Sequence, residues 1–446
     1  MALRVVSAIL FSPRGGSAHV ARALARGLRD QGCEVTLLAG SRDDLGQPGQ
    51  ARAFYGGDGV EPVDFSPALR SRDPIRFDGP PGTAPLHPSY EDKPGVPDVV
   101  FAALDDAAYE HQVASWAREL DRVGAADADV LHLHHLTPLH EAAARVAPNV
   151  PVVGQLHGTE LLMLEAIGDG SATGWPYAER WAQRLRRWAA ACARIVVSEG
   201  AVDRACSVLG IERERVVPFP GGVDTEHFRP LTIDRDEVWR RILGSPLEGP
   251  VLLYVGRFTA VKRLGLLIEA YAAAATRVRR PSALVLVGGH PGEWEGEHPA
   301  DTVARLGLQN VHLVGWHPHE RLPELFNASD AVVLTSLREQ FGLVLVEGMA
   351  CGLAAVATAS AGPSSIISDG QTGWLVPAHD MGRLEAALAE VLADDRERRR
   401  RGRAAQLATR TRYSWSGVSG RLLAVLEAVA RPTTPARARA QARGSR

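Results

Sequence analysis

Ala331-Val332-Val333-Leu334-Thr335 is followed closely by Glu339-Gln340-Phe341-Gly342-Leu343-Val344-Leu345-Val346-Glu347. The first run is apolar and rich in β-branched residues, the pattern of a parallel strand buried on both faces. The second opens an apolar stretch, 342–352, that reads as a short helix lying on a sheet. A loop carboxylate (Glu339), the free N–H groups of a helix start, and a second carboxylate (Glu347) about 1.5 turns inside form one constellation. The N–H groups suit a phosphate or sugar oxygens, and the carboxylates can accept hydrogen bonds from hydroxyls. A ligand with an anionic middle and hydroxyl-bearing ends, such as a nucleotide sugar, fits that layout. Two solvated glutamates on an ordinary strand-loop-helix unit are the alternative.

Outward from this stretch, strand-like and helix-like segments alternate along most of the chain, which predicts an α/β fold with parallel sheets. Strands are expected at 4–10, 34–38, 129–133, 151–155, 195–198 and 215–217, with helices at 17–30, 105–123, 137–147 and 176–193. The pattern restarts at Val251, with strands at 251–255, 283–287, 311–314, 331–335, 354–358 and 374–376. Helices are expected between and after them at 264–276, 299–307, 319–328, 343–351, 362–368 and 380–395. The polar stretch 229–250 reads as the linker between two doubly wound, Rossmann-like domains. The expected division is 1–228 for the first domain and 229–410 for the second. A C-terminal helix at 411–430 packing back on the first domain and a basic disordered tail at 431–446 complete it. Residues 41–98 break the alternation: they are rich in Gly and Pro and carry aromatics without a period. They read as a surface excursion or as a wall of the acceptor site.

The 446 residues carry a formal net charge of −2, are 45% hydrophobic and 23% charged, and suit an ordinary globular protein of two or three domains. That charge argues against nucleic acid as a partner. Cys33, Cys192, Cys206 and Cys351 are scattered without zinc spacing, which fits reduced thiols and a cytoplasmic location. The N-terminus reads as a first strand rather than a signal peptide, and no apolar run is long enough to predict a transmembrane segment.

Further motifs sit at strand ends. Pro13-Arg14-Gly15-Gly16-Ser17 turns the first strand into a helix, and glycines there let the backbone approach a ligand. Gly256-Arg257-Phe258-Thr259-Ala260-Val261-Lys262 places two cations at the mouth of the second sheet, where doubly wound folds bind ligands. Such cations can neutralise a diphosphate without metal. His157-Gly158-Thr159-Glu160 ends another strand of the first half. His132, His134 and His135 invite a metal reading, but no carboxylate or cysteine follows at ligand spacing, so no metal site is expected. The Arg- and Trp-bearing helix at 176–193 reads as a solvated face with buried tryptophans, so peripheral membrane contact is not favoured.

In order and spacing these motifs resemble those of the retaining family-four glycosyltransferases of GT-B architecture, over most of the chain to about residue 430. The resemblance rests on Gly15 and Gly16, on His157, on Gly256-Arg257 with Lys262, and on the Glu339/Glu347 pair. Pro220-Gly221-Gly222-Val223-Asp224 and Ala361-Gly362-Pro363 add to it. It implies two Rossmann-like domains facing across a cleft, a nucleotide-sugar donor with UDP the leading base, a small-molecule acceptor, and no cofactor. By the same resemblance Arg257 and Lys262 hold the donor diphosphate, Glu347 the ribose, and Glu339 with Phe341, Gly342 and Leu343 the transferred sugar. Trp316 lies near the base, Gly15, Gly16, His157 and Glu160 lie on the acceptor side, and His157 flanks the reacting sugar. No Asp-x-Asp motif is placed to hold a metal, so a metal-independent reaction is expected. Two other readings stay open. A hydrolysing sugar-nucleotide epimerase would act on a single substrate, and a non-catalytic nucleotide-sugar-binding protein would not turn over.

Overall fold

The computed structural model describes residues 2–13, 15–47, 49–91, 99–289 and 294–430. Arg14, residues 92–98 of the irregular stretch, and the expected tail 431–446 lie outside them. The chain divides into two compact units, 1–219 with Val418 onward, and Pro220–Gly417. The division falls at Phe219/Pro220 rather than after residue 228. The segment read as a linker is structured, because Arg235–Leu243 is a helix of the second unit. Asp234 caps it by accepting the Glu237 N–H, and the fully buried Trp239 donates its indole N–H to the Ala328 carbonyl at 3.0 Å.

The first unit holds seven strands: β1 (Arg4–Ile9), β2 (Glu34–Ser41), β3 (Val60–Asp64), β4 (Val130–His134), β5 (Val152–Gln155), β6 (Arg194–Val197) and β7 (Val216–Pro218). All pair in parallel, in the order β3-β2-β1-β4-β5-β6-β7. β3 lies inside the stretch expected to be irregular. Val60 and Val63 are buried and the strand pairs with β2 in register Leu37↔Val60, so part of 41–98 is sheet. Phe65, Leu86 and Tyr90 from the same stretch are buried in the core of this unit.

The second unit holds β8 (Val251–Gly256), β9 (Ala283–Gly288), β10 (Val311–Gly315), β11 (Ala331–Leu334), β12 (Ala354–Ala359) and β13 (Gly373–Pro377), ordered β10-β9-β8-β11-β12-β13. β9 and β11 are buried along their whole length, as continuous apolar runs in a parallel sheet should be. Both sheets reverse direction once, between β1 and β4 and between β8 and β11. In doubly wound folds this is where the crevice for a ligand opens, beyond the carboxyl ends of the strands. The ladder between β8 and β11 runs only through Ala331↔Leu252 and Val332↔Leu253, so the two strands part before their ends.

Near the C-terminus, a helix over Asp395–Arg412 is followed by a second over Trp415–Val429, with a break where one helix from 411 was expected. In the first unit Gln31 Nε2 donates to Ser419 Oγ at 2.8 Å, which ties the end of the chain to its first helix, Gly15–Asp30. No helix among the described residues is long and apolar enough to cross a membrane. The basic helix Ala178–Ala191 buries Trp181 and Trp188, while Arg180 and Arg184 pair with Asp106 and Arg187 with Glu141. Three of its four arginines therefore have carboxylate partners within the unit.

Candidate active site

In the second unit the site grows from two loops at the point where the sheet reverses. The loop after β8 carries Arg257 and Lys262, and the loop after β11 carries Glu339. Three contacts between the loops hold them together: Leu337 N–H donates to the Val261 carbonyl (2.8 Å), Thr335 Oγ1 to the Lys262 carbonyl (2.9 Å), and Lys262 Nζ to Glu339 Oε2 (2.5 Å). The two sequence-selected residues are thus partners. Their side chains are only 19% and 17% exposed, so Lys262, read from the sequence as a cation at the mouth of the sheet, is largely covered. Ser336 Oγ adds a bond to the same Glu339 oxygen at 3.3 Å. Arg257 stands exposed, with its backbone carbonyl accepting the Tyr254 hydroxyl at 2.7 Å.

Gly342, at φ 96°, is the N-cap of the helix Leu343–Ala350 and makes no side-chain cap hydrogen bond to its first N–H groups. A left-handed residue there favours glycine. The Gly362 N–H donates to the Glu339 carbonyl at 2.8 Å, and a Cβ at 362 would lie 2.2 Å from the Phe341 carbonyl oxygen. The 339–342 loop therefore rests directly on the helix Ala361–Ile366. Glu347 is buried on the helix behind this loop. Its carboxylate accepts from His319 Nε2 at 2.8 Å, a partner the sequence does not announce. His319 opens a 3₁₀ turn, His319–Arg321, beyond β10, close in sequence to Trp316, which stands 60% exposed on that loop. Burial, aided by the Glu347 charge, pushes the neighbouring Cys351 thiol up to about 12.

In the first unit the matching position is built of imidazoles. His134 Nδ1 and His157 Nε2 share a hydrogen bond at 3.0 Å, and the His135 and His157 rings lie 4.4 Å apart. His135 adopts φ 61°, which turns its ring out of the strand line, and its Nδ1 donates to Glu160 Oε1 at 2.8 Å. Glu160, fully buried, also accepts the backbone N–H groups of Gly158 (2.9 Å) and His157 (3.3 Å). A carboxylate does reach the histidine run, arriving from the helix Thr159–Gly168 after β5 rather than at ligand spacing along the strand. No group of three or more such side chains that could hold a metal ion occurs among the described residues. Burial, reinforced by neighbouring imidazoles, holds His134 and His157 well below the ordinary histidine range. Burial alone would raise the Glu160 carboxyl, but His135 and the backbone donors outweigh it and lower it. Gly15 and Gly16 stand exposed at the start of the first helix, beyond β1. The Tyr90 hydroxyl, from the stretch expected to be irregular, donates to the Leu136 carbonyl at 2.6 Å and steadies the loop after β4.

Residues 14–227 match the family described as Glycosyltransferase Family 4, and residues 235–408 that described as Glycosyl transferases group 1. A D-inositol 3-phosphate glycosyltransferase from Catenulispora acidiphila is 34% identical over 309 residues, spanning 67% of this chain and 72% of that one. The chain belongs to the family-four glycosyltransferases. A second relative of the same name, from Xylanimonas cellulosilytica, is 28% identical over 423 residues, 89% of this chain and 96% of its own. Among solved structures, a sucrose-phosphate synthase from Thermosynechococcus elongatus covers 96% of this chain and 99% of its own at 20% identity, with a TM-score of 0.67. HepE of Anabaena, in complex with UDP-glucose, gives the same TM-score at 17% identity, covering 96% and 100%. At these identities the two structures bear on the fold, which is GT-B. As a glycosyltransferase, the chain has its two strand-reversal points occupied by different chemistries: charged in the second unit and imidazole-based in the first.

Proposed function

We propose that this glycosyltransferase moves a sugar from a nucleoside diphosphate sugar, with UDP the leading nucleotide, to a hydroxyl of a small molecule, with retention and without a metal. The observation that carries the reading is the Lys262–Glu339 pair beside the uncapped helix start at Gly342. Cleaving a sugar–diphosphate bond builds negative charge on the leaving group. Arg257, Lys262 and the N–H groups of Phe341 to Leu343 are the groups that would take it up, which is electrostatic preorganisation. When Lys262 turns to phosphate, Glu339 is released to accept hydroxyls of the transferred sugar. Glu347 takes the ribose, and Trp316 lies toward the base. His157, kept neutral by burial, sits with Glu160, Gly15 and Gly16 on the acceptor side. Retention follows from attack on the face the diphosphate leaves, with the departing phosphate accepting the acceptor's proton. The names of the relatives make a phosphorylated cyclitol the first acceptor to try.

The test incubates purified protein with UDP-glucose and UDP-N-acetylglucosamine, with and without inositol 3-phosphate, in excess EDTA. Product dependent on both substrates, with the donor's anomeric configuration by NMR, is expected. Turnover of the donor alone to a 2-epimer would favour an epimerase. Activity lost in EDTA and regained with Mg²⁺ would overturn metal independence.

A further inference from the structure

Within the proposed donor site, Glu347 differs from Glu339 in how it is held. Glu339 is bound by a flexible lysine that the reaction itself can call away. Glu347 is bound through Oε1 by His319, its one side-chain hydrogen-bond partner among the described residues. A carboxylate accepts what a histidine nitrogen donates, so Nε2 carries the proton. The His319 ring is itself pinned. It meets Phe228 edge-on at 5.1 Å and His227 at 6.0 Å, and Phe228 is buried with Phe326 edge-on behind it at 5.9 Å. A ring packed in this way and holding Oε1 restricts the carboxylate's torsion and leaves Oε2 as the oxygen not taken by His319. Without the anchor, the terminal torsion of a glutamate is broad and both oxygens sweep through it. Ligand-contacting groups depend in this way on the groups behind them.

We infer that His319 is a positioning residue that orients the Glu347 carboxylate toward the ribose hydroxyls and so sets the preference for ribose over deoxyribose nucleotides. The inference rests on the proposed role of Glu347. Its test measures, by calorimetry, the affinity of the tightest binder among UDP, GDP and ADP, and of its 2′,3′-dideoxy analogue. The wild type should prefer the ribonucleotide on the order of tenfold, the worth of a hydrogen bond to a charged group. His319→Gln can place an amide N–H near the position of Nε2 and should keep most of that preference. His319→Asn, too short to reach, should lose it to within about twofold, with a thermal midpoint like that of His319→Gln. Comparing these two polar variants removes folding as the explanation, and their binding of the dideoxy analogue should match the wild type. If His319→Asn keeps the full preference while Glu347→Ala abolishes it, the inference is overturned. A wild type that binds no nucleotide, or binds both forms equally, overturns the ribose-site reading itself, and the inference falls with it.

Discussion

The two units solve one topological problem with opposite chemistry. In each sheet the strand order reverses once; loops from both sides of the reversal supply the polar groups in the second unit, and the end of β4 with the segments following β4 and β5 supplies them in the first. In the first unit those groups are imidazoles, two of which, His134 and His157, burial holds well below the ordinary range, beside one buried carboxylate, Glu160, whose partners come from its own unit. In the second they are a lysine, an arginine and two carboxylates, with the key pair at 2.5 Å and largely covered. The fold determines where a ligand can sit. The side chains determine what each position offers: buried imidazoles beside one carboxylate in the first, and an exposed arginine, a covered lysine and two carboxylates in the second.

The widest break in this comparison is a stability change confined to one side. Phe65 is fully buried against Trp116 and His87 in the first unit. Phe65→Ala should destabilise that unit by about 3–5 kcal/mol. The urea midpoint of the first transition should fall, while nucleotide affinity at low temperature stays unchanged. A loss of nucleotide binding in folded protein would dissolve the distinction between the units. Deleting 47–95 outright would not test acceptor choice, because it removes β3 and this core.

Next in size is the charged side. Lys262→Ala should lower kcat on the order of 10²–10³, the worth of one oxyanion donor, with a modest drop in thermal midpoint because Glu339 loses its partner in a covered position. Arg257→Ala should also slow turnover while leaving stability within about 0.5 kcal/mol, since Arg257 is exposed. Equal stability losses in the two would mean the pair at Lys262 contributes nothing to the fold.

The two glutamates sharpen the picture at a smaller scale. Glu347→Ala should weaken binding of free UDP about tenfold. Glu339→Ala should leave that binding nearly intact and instead reduce turnover of the intact donor. Titration calorimetry with UDP, beside initial rates with the sugar nucleotide, separates them, and matching losses would show the roles misassigned.

A last effect belongs to the first unit and to pH. His132 and His140 are held by burial at about 4. Their unfolded counterparts titrate near 6.5, so between about 6.5 and 4 the unfolded chain binds protons that the folded chain does not. Stability is therefore full above 6.5 and falls on acidification, by about 1.4 kcal/mol per pH unit for each such ring. Urea midpoints of wild type and His140→Gln across that window should diverge, the variant having the shallower slope. Parallel curves would mean that the ring does not stay neutral in the folded unit.

Most of the strands were legible because a parallel sheet buried on both faces demands continuous apolar runs, and the chain has twelve of them where expected. β3 was not, because Glu61 and Pro62 interrupt its run and glycines crowd its approach; a strand at the sheet's edge tolerates both. The helix Arg235–Leu243 was hidden by its charge, although Asp234 followed three residues later by Glu237, with Gly244 beyond, is a recognisable pair of end signals. At the site, loop positions were readable from strand ends. The pairings were not: Lys262 meets Glu339 across 77 residues, and His319 meets Glu347 across 28. Each depends on how the sheet brings segments from different strands together, β8 beside β11 for the first pair and β10 with β11, two strands lying between them, for the second, which no local pattern encodes.

The contact between Gly362 and the Phe341 carbonyl also bears on how this sequence can drift. A single methyl group at 362 would press on backbone and push the 339–342 loop off its seat, although position 362 carries no charge, proton or hydrogen-bonding side chain. The 339–342 loop can therefore be displaced by mutation without altering any of the polar residues by which an enzyme of this kind is recognised. A chain that had lost its activity this way would still display both glutamates, the lysine and the arginine in full. Among relatives, an alanine or serine in place of this glycine would be a better warning of a silent enzyme than the survival of the charged residues would be a reassurance.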